Sequence, residues 1–510
     1  MRSHMLFIAS IALLIACVST NVVFAEDVVP TTAPDGEPWN FVVILIDDMG
    51  WMDLTCQGSQ YFETPNIDRL AADGMTFTNG YAACAVCSPT RAAFQTGRYP
   101  ARVGVTDWIR SKFQGGNIID GQNPTGFTSG NQPLHCPKNA LFMELDEVTL
   151  AEVLGPAGYT SCFIGKWHLG QTDQYPEAQG YDFNIGGCDL GQPPSYFDPY
   201  DSGREFYKIP TMDARSEGEY LTDREADEAA AFILDHSDEP FLLNLCHYAV
   251  HTPLQAKRDL IDKYDAKEKT EQTNATYAAM VESVDDSIGA VLDAIEEAGV
   301  ADRTFILFTS DNGGLLGPTN NTPLRSGKGF PYEGGIREPF FVKWPGVVEP
   351  GSTCDTPVCS IDVLPTLADA SGAAMPEDRA IDGISLVPLL AGEATESGDV
   401  FDRPLFWHFP HYRGGLGPYS IVRVGDWKLI KRYDPPKFEL YNLADDLSET
   451  TDLATQRPAI VSDLNMTLED LIESTDARMP IINPEYKPDG ASEPQPRDSV
   501  GPRPPLVTHS

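Results

Sequence analysis

The most suggestive group of side chains in this 510-residue sequence is a Cys-x-Pro-x-Arg string formed by Cys87, Pro89 and Arg91. It sets a potential nucleophile two residues before a proline that fixes φ and four residues before an arginine with a permanent charge. A nucleophile beside concentrated positive charge suits attack on an anionic ester with a poor leaving group. Alone, the string also fits a buried or disulfide-bonded cysteine in an ordinary loop.

Two acidic groups follow apolar runs that predict buried strands. Asp47 and Asp48 come directly after residues 41–46, and Asp311 and Asn312 come soon after residues 304–309. Ligands in α/β proteins gather at the carboxyl ends of such strands, and carboxylate oxygens suit Ca²⁺ or Mg²⁺. The competing interpretation of the first pair is a solvated turn, which Asp and Gly both favour.

Three basic side chains sit in glycine-flanked positions. Lys166 and His168 follow the predicted strand 159–165, and Lys328 lies between two glycines. A single lysine or histidine is usually structural or solvated. Two of them, spaced by one residue at a strand end, favour a role in a site.

The overall charge restricts the partners. The formal net charge is −39, with 75 acidic and 36 basic residues. Such an acidic protein is a poor match for nucleic acid or for an anionic membrane surface, so neither is expected as a partner. If the substrate is itself an anion, the pocket must be locally basic against the field of the whole protein.

The first 25 residues have the pattern of a secretory signal peptide. The apolar run 5–18 is too short for a comfortable membrane span, and Val23-Phe24-Ala25 approximates a cleavage site. We therefore expect cleavage after Ala25 and a secreted or periplasmic protein, because no later apolar run is long enough to cross a bilayer. A less favoured alternative is lipoprotein processing, since residues 14–17 resemble a lipobox that ends at Cys17.

Ten cysteines are present, and eight remain once Cys17 and Cys87 are set aside. An exported protein can pair some of them, and Cys354 with Cys359 is the predicted bridge because the two lie close in sequence. The remaining connectivity cannot be read from spacing.

The apolar patterns predict an α/β protein. Continuous β-branched runs predict strands buried on both faces, as in a parallel or mixed sheet. Helices are predicted from about Thr64, from about Thr90, and over residues 147–154, 220–236, 277–298 and 459–472, while a hairpin is predicted over 421–431. Residues 104–139 and 173–212 read as long loops, and the second is expected to form a pocket wall.

Six blocks, taken in order, resemble the type I (formylglycine-dependent) sulfatases of the alkaline phosphatase superfamily, with arylsulfatase-like motifs. They are Asp47-Asp48, Cys87 to Arg91, Lys166 to His168, His251, Asp311-Asn312, and Lys328 with Tyr332 to Pro339. They span most of the mature chain. The family usually shows His-x-Pro after a strand, which selects His251, whereas His247 is interpreted as a structural histidine.

The resemblance implies a large, mostly parallel mixed sheet flanked by helices and a smaller C-terminal α+β subdomain. We expect a signal peptide at 1–25, a catalytic domain at 26–395, a C-terminal subdomain at 396–478 and a Pro-rich, poorly ordered tail at 479–510. It also implies that a maturation enzyme oxidises Cys87 to formylglycine. One Ca²⁺ would be bound by Asp47, Asp48, Asp311 and Asn312 and touched by residue 87.

The resemblance assigns roles to the remaining residues as well. Arg91, Lys166, His251 and Lys328 would surround the sulfate, Asp311 would accept the proton of the attacking hydroxyl, and His251 or Lys328 would protonate the leaving alcohol. His168 would be the base that regenerates the aldehyde. Two alternatives remain open: a phosphonate or phosphodiester hydrolase on the same fold, and a relative that binds without catalysis.

The expected substrate is a sulfated small molecule or saccharide. The stretch 407–413 carries aromatic, His and Arg side chains that can stack on a sugar or hydrogen-bond to it. His408 and His411 are therefore predicted to contact the substrate, together with Lys166, His251 and Lys328.

Overall fold

The structure is a computed structural model, and it describes residues 31–203, 207–392 and 400–488. The predicted signal peptide, Cys17, the domain boundary at 395/396 and most of the predicted tail lie outside the described residues. Within the described part, no helix combines the length and the apolar character needed to cross a lipid bilayer.

Sixteen strands are formed by the described residues. They are β1 (Asn40–Ile46), β2 (Met75–Phe77), β3 (Gly80–Tyr81), β4 (Leu134–His135), β5 (Thr160–Gly165), β6 (Phe183–Ile185), β7 (Phe241–Cys246), β8 (Thr304–Ser310), β9 (Phe340–Lys343), β10 (Ser352–Cys354), β11 (Val358–Cys359), β12 (Leu405–Phe409), β13 (Tyr419–Val424), β14 (Trp427–Tyr433), β15 (Pro436–Asn442) and β16 (Ile481–Ile482).

Eleven α-helices are formed by the same residues. They are α1 (Pro65–Ala72), α2 (Cys87–Thr96), α3 (Pro100–Val103), α4 (Leu150–Leu154), α5 (Leu221–Asp235), α6 (Arg258–Ala266), α7 (Ala275–Glu297), α8 (Glu333–Ile336), α9 (Val363–Ser371), α10 (Val387–Leu390) and α11 (Pro458–Ser474).

The centre of the protein is an eight-stranded sheet in the order β10-β2-β9-β8-β1-β7-β5-β6. Every neighbouring pair is parallel except the two pairs that involve β9. The β1 residues are fully buried, and successive side chains alternate between two hydrophobic clusters. Burial on both faces explains why its sequence is continuously apolar. The predicted α/β class with a mixed, mostly parallel sheet is confirmed.

Helices cover both faces of this sheet. Buried side chains of α1, α5 and α7 join the cluster on one face, and those of α2, α4 and α9 join the cluster on the other. The helix α7 buries the periodic apolar face that the sequence predicted. This three-layer arrangement leaves the carboxyl ends of the parallel strands as a shared edge.

The C-terminal part is a separate four-stranded antiparallel sheet in the order β12-β13-β14-β15, with α11 packed on it. The predicted hairpin is confirmed as β13 and β14, in which Val424 pairs with Trp427. The sheet packs against the segment that leads into α2, where the Trp407 indole N–H donates to the carbonyl of Ala82 (2.8 Å). The predicted α+β subdomain thus lies directly behind the Cys87 loop.

Two helix starts differ from the sequence prediction by three residues. The helix α2 begins at Cys87 rather than near Thr90, because Pro89 is tolerated in a first turn, where backbone N–H groups have no intrahelical partner. The helix α4 begins at Leu150 rather than at Glu147. Thr149 caps it, and its N–H and hydroxyl exchange hydrogen bonds with Glu152 in a capping box.

The predicted bridge between Cys354 and Cys359 is wrong. Both are free thiols, and they lie on strands of different sheets, β10 paired with β2 and β11 paired with β3. The C-terminal stretch also differs from prediction, since residues 481–482 form β16 against β4 instead of lacking structure. The side chain of Asn483 further ties this stretch to the carbonyls of Gly130 and Gln132.

Candidate active site

The parallel pairing of β1 with β8 brings the two acidic groups together. Ile46 pairs with Ser310, so Asp47 and Asp311 follow neighbouring strands at the same level. The backbone N–H of Asp48 donates to Asp311 Oδ1 (3.2 Å). The sequence prediction that these carboxylates meet at a strand edge is confirmed.

Asp48 is held from two further directions. Asn312 Nδ2 donates to Asp48 Oδ1 at 2.8 Å, and the Lys328 ammonium donates to the same oxygen. Asp48 itself has φ of 63°, a left-handed conformation that is unusual for a residue with a side chain. Such a conformation persists only where the surroundings enforce it, which is common in functional sites.

Two further cations, Lys166 and Arg91, contact the carboxylates of the site. Lys166 follows β5, and its Nζ lies 2.6 Å from Asp47 Oδ2. The Arg91 guanidinium donates through Nε to Asp311 Oδ2 (2.8 Å) and through Nη1 to the carbonyl of Lys166 (2.6 Å). Arg91 therefore fixes the carboxylates and the Lys166 backbone relative to each other.

Cys87 lies in the first turn of α2 and is buried, with 3% of its surface exposed. Arg91 is four residues further on and so lies on the same face of the helix. The positive end of the helix dipole at this terminus favours negative charge beside residue 87. The helix thus presents both residue 87 and Arg91 to the acidic group.

The two site histidines are held through opposite ring nitrogens. His168 Nε2 lies 2.7 Å from the carbonyl of Ile109, and its buried Nδ1 has no hydrogen-bond partner among the described residues. His251 Nδ1 lies 2.9 Å from the carbonyl of Thr252, and its Nε2 lies 3.6 Å from Asp48 Oδ2. Because carbonyls only accept, the bonded nitrogens carry the hydrogens, and His168 Nδ1 and His251 Nε2 carry lone pairs.

Burial and neighbouring charges shift the pKa values of these groups. Burial and then the Lys166 cation hold the pKa of His168 well below its usual range, and burial and then Lys328 lower that of His251 to about 3. Burial opposes the ionisation of Asp48, but the adjacent cations, Lys328 foremost, lower its pKa below the usual range. Both imidazoles are therefore neutral near neutral pH.

The charges of the site residues are compatible with a bound cation. Burial and repulsion from Asp311 and Asp48 raise the pKa of Asp47 well above its usual value, although Lys166 opposes this. Three carboxylates face three cations at the site, so a bound divalent ion would leave it net positive towards an anionic substrate.

Buried oxygen atoms that lack hydrogen-bond partners indicate where such an ion fits. Asp47 Oδ1, Asp48 Oδ2 and Asn312 Oδ1 are buried without a hydrogen-bond partner among the described residues. Ligand atoms of Asp47, Asp48 and His251 also lie within 4.8 Å of one another. Buried polar atoms are normally satisfied, and hard oxygen donors suit Ca²⁺, so the residues present fit a bound calcium ion.

Not every predicted site residue joins this group. His408 is 4% exposed and has both ring nitrogens engaged, Nδ1 with Ser420 and Nε2 with the carbonyl of Arg478. It therefore has no nitrogen free for a sugar, contrary to its predicted role. His411 is also buried, and its Nε2 forms a hydrogen bond with the hydroxyl of Thr106 (2.8 Å).

The interpretation of His247 as structural is confirmed. Its Nδ1 lies 2.6 Å from Glu225 Oε2, and its Nε2 lies 2.9 Å from the hydroxyl of Ser287. Both ring nitrogens therefore have side-chain partners, and the side chain is fully buried.

Several supporting residues were not predicted. The Ser88 hydroxyl donates to the carbonyl of His168, and the Tyr196 hydroxyl donates to the carbonyl of His251 (2.8 Å). Tyr196 belongs to the loop that the sequence predicted as a pocket wall. Neither contact has a local sequence signal, since each joins segments far apart in the chain.

Comparison with known proteins agrees with the geometry. Residues 39–373 match the family model for sulfatases, and residues 326–475 match the model for the C-terminal domain of N-sulphoglucosamine sulphohydrolase. A sulfatase from Formosa agariphila is 34% identical over 488 residues, which covers 82% of this chain and 85% of the relative.

Two further relatives show the same relationship. N-acetylgalactosamine-6-sulfatase from Homo sapiens is 34% identical over 400 residues, which covers 74% of this chain and 69% of the relative. The solved structure of Ps i-CgsB in complex with k-i-k-neocarrahexaose superposes with a TM-score of 0.71 at 29% identity, covering 86% of this chain and 93% of that one. With a family model that spans more than half of its length and sulfatases as relatives along most of it, the chain belongs to the sulfatase family and is a sulfuric ester hydrolase of alkaline phosphatase-like fold.

Proposed function

We propose that the protein is an exported sulfatase that removes sulfate from carbohydrates, using formylglycine made from Cys87 and one bound Ca²⁺. The observation that carries the proposal is the grouping of Cys87 with Arg91, Lys166 and Lys328 around orphaned carboxylate and amide oxygens. Relatives named for a sulfated sugar or solved with a saccharide support a carbohydrate substrate.

The proposed calcium ligands are Asp47, Asp48, Asp311 and Asn312, with the side chain at position 87 touching the ion. When bound, Ca²⁺ would polarise a sulfate oxygen, and the hydrated formylglycine would supply an oxygen nucleophile. A formylglycine-generating enzyme is the implied maturation partner.

Lys166 and Lys328 are proposed to bind the sulfate oxygens, since each presents an ammonium beside a ligand carboxylate. Burial opposes the charge on Lys328, but the nearby carboxylates, Asp48 foremost, hold its pKa above the usual range. It therefore stays protonated and can donate to a leaving alcohol. Arg91 is proposed mainly to position Asp311, which accepts the proton of the attacking hydroxyl.

The two histidines are given different tasks. His168 Nδ1 carries an unpaired lone pair in a buried, neutral ring, so we propose it as the base that acts on residue 87 after sulfate transfer. His251 Nε2 faces Asp48, and its lone pair can accept a hydrogen bond from a substrate hydroxyl beside the sulfate, so we propose it as a substrate-binding residue. Because its bonded nitrogen is Nδ1, the neutral ring has no proton to give from Nε2. The geometry therefore favours Lys328 over His251 as the acid.

Export is proposed from the sequence of residues 5–25 alone, and N-terminal sequencing of protein recovered outside the cytoplasm would test the cleavage site. A start at Glu26 is expected. A lipid-modified Cys17 would support the alternative processing.

The function is tested by producing the full chain together with a formylglycine-generating enzyme and assaying inorganic sulfate release. The panel should contain sulfated mono- and oligosaccharides, with phosphate and phosphonate esters of matched alcohols as controls. We expect the highest kcat/KM on a sulfated saccharide. Preference for the phosphonate, or no release of sulfate from any ester, would contradict the proposal.

A further inference from the structure

A short segment that follows α2 and α3 is hydrogen-bonded to active-site residues through Ile109. The N–H of Ile109 donates to the Ser88 hydroxyl (2.9 Å), and its carbonyl faces His168 Nε2 at 2.7 Å. The Ser88 hydroxyl in turn donates to the carbonyl of His168 (3.0 Å). This closed set of bonds fixes residues 107–110 beside residue 87 and the proposed base.

The other end of the same segment reaches the Lys328 side of the site. Asp107 Oδ1 lies 3.8 Å from Nη1 of Arg413. The Arg413 side chain rests on Gly329, where an added Cβ would come within 2.6 Å of its Nε. The N–H of Gly329 donates to the carbonyl of Ala85, which ties this contact to the Cys87 loop. The Arg413 side chain therefore contacts the residue that follows Lys328, and Asp107 lies beside Arg413.

Asp107 and Arg413 are more exposed to solvent than the lysines of the active site. The side chains of Asp107 and Arg413 are 23% and 30% exposed, whereas that of Lys328 is 7% exposed and that of Lys166 is fully buried. Asp107 Oδ1 accepts a hydrogen bond from the Trp108 N–H (2.8 Å), but its separation of 3.8 Å from Arg413 is too long for a hydrogen bond between the two side chains. Asp107 Oδ2 can therefore accept, and the Arg413 guanidinium can donate, hydrogen bonds to a ligand. They occupy the rim between the sulfate-binding cations and solvent.

We propose that Asp107 and Arg413 form a subsite for the hydroxyl groups of the sugar that bears the sulfate, an inference that rests on the proposed function. A carboxylate accepts hydrogen bonds from sugar hydroxyls, and a guanidinium donates to their oxygens. The subsite selects sulfate esters of sugars over sulfate esters of apolar alcohols. An alcohol part with no further hydroxyl group would leave both charged side chains without a hydrogen-bond partner on the substrate.

Binding to the full chain carrying Cys87→Ala tests this without turnover. Dissociation constants are measured calorimetrically for inorganic sulfate, N-acetylgalactosamine 6-sulfate, N-acetylglucosamine 6-sulfate and galactose 6-sulfate. We expect at least one sulfated sugar to bind more tightly than inorganic sulfate. Adding Asp107→Asn or Arg413→Gln should weaken that sugar by about tenfold or more and change inorganic sulfate by no more than about threefold.

Arg258→Gln is the matched control, because Arg258 pairs with Asp262 on the exposed helix α6. It should leave every dissociation constant unchanged. The inference is overturned if no sulfated sugar binds more tightly than inorganic sulfate, if the subsite variants leave sugar binding intact, or if they weaken both ligands equally. Absence of sulfate-ester hydrolysis by the formylglycine enzyme would instead contradict the proposed function, since these binding constants do not depend on turnover.

Discussion

Lys328 and Asp48 are 280 residues apart in the chain and form a buried ion pair at the carboxyl edge of the central sheet. The ammonium is thereby held on a proposed calcium ligand. The function of Lys328 is therefore tied to the position of Asp48 and not to any neighbour in sequence.

Replacing Lys328 by Met should lower kcat/KM on a sulfated sugar by about 10² to 10³, because a pre-positioned donor to the developing charge is lost. Lys343→Met is the matched control, since Lys343 at the end of β9 pairs with the exposed Asp73. Steady-state kinetics of both variants would decide. A loss of less than twofold for Lys328→Met would contradict its assignment.

Removing the divalent ion should abolish activity and lower the melting temperature together. Chelation leaves Asp47 Oδ1, Asp48 Oδ2 and Asn312 Oδ1 buried without a hydrogen-bond partner among the described residues. Restoring Ca²⁺ at a hundred times its dissociation constant should stabilise the fold by about 2.7 kcal/mol. Thermal scans and sulfate-release assays with and without chelator would measure both effects.

Asp53→Asn serves as a control for the calcium experiment. Asp53 is buried nearby but accepts hydrogen bonds from the backbone of Gly50 and the hydroxyl of Tyr277 instead of offering free oxygens. This variant should keep its calcium requirement, whereas Asp48→Asn should lose the calcium-induced stabilisation. Metal-free wild-type protein that retains its full rate would refute the site.

His408 should make stability depend on pH. Burial lowers its pKa to about 4, below the value of about 6.5 in an unfolded chain. Protonation therefore favours unfolding. Its contribution is fully present above pH 6.5 and is lost as the pH falls towards 4.

The free energy of unfolding, measured by denaturant titration, should thus fall less in His408→Gln than in wild type. Between pH 7.5 and pH 5 the difference in the fall should be about 2 kcal/mol. His135→Gln, a change at a half-buried histidine on β4, is the control and should behave as wild type. Equal pH slopes for His408→Gln and wild type would show that the ring does not titrate as described.

Lys428 on β14 should be important for stability through buried charge. Its ammonium lies 2.8 Å from both Glu333 Oε1 and Glu449 Oε1, and all three side chains are at most 1% exposed. Lys428→Met would remove the ammonium from both buried carboxyl groups and leave Glu449 without a paired cation among the described residues, whereas Glu333 keeps Arg337 at 3.4 Å. The expected cost is about 3 to 5 kcal/mol in unfolding free energy. Lys431→Met removes a partly exposed partner of Glu469 and should cost no more than about 1 kcal/mol. Similar losses in the two variants would contradict the importance of the buried network.

The strands and their acidic ends could be predicted because burial on both faces makes β1 and β8 continuously apolar. That pattern predicts buried strands in a parallel or mixed sheet, whereas the expectation that Asp47 and Asp311 share one site came from the resemblance to the sulfatases. The start of α2 was less predictable, because Pro89 is compatible both with a preceding loop and with a first helical turn.

Contacts between distant loops left no local pattern to read. Asp107 meets Arg413 only because Ile109 is held on His168 and because Gly329 leaves room for the guanidinium. His408 illustrates the opposite case. An aromatic, histidine-containing strand resembled a sugar-binding surface, but the packing of β12 against β13 turned that ring into the interior of the small sheet.

The activity of the protein is expected to depend on an oxidised residue 87. Peptide mass spectrometry of the fragment containing position 87 should be compared with sulfate-release activity across preparations made with varying amounts of the maturation enzyme. Activity is expected to rise in proportion to the fraction of aldehyde at position 87 and to vanish in Cys87→Ala. Full activity from protein whose Cys87 is entirely an unmodified thiol would contradict the account.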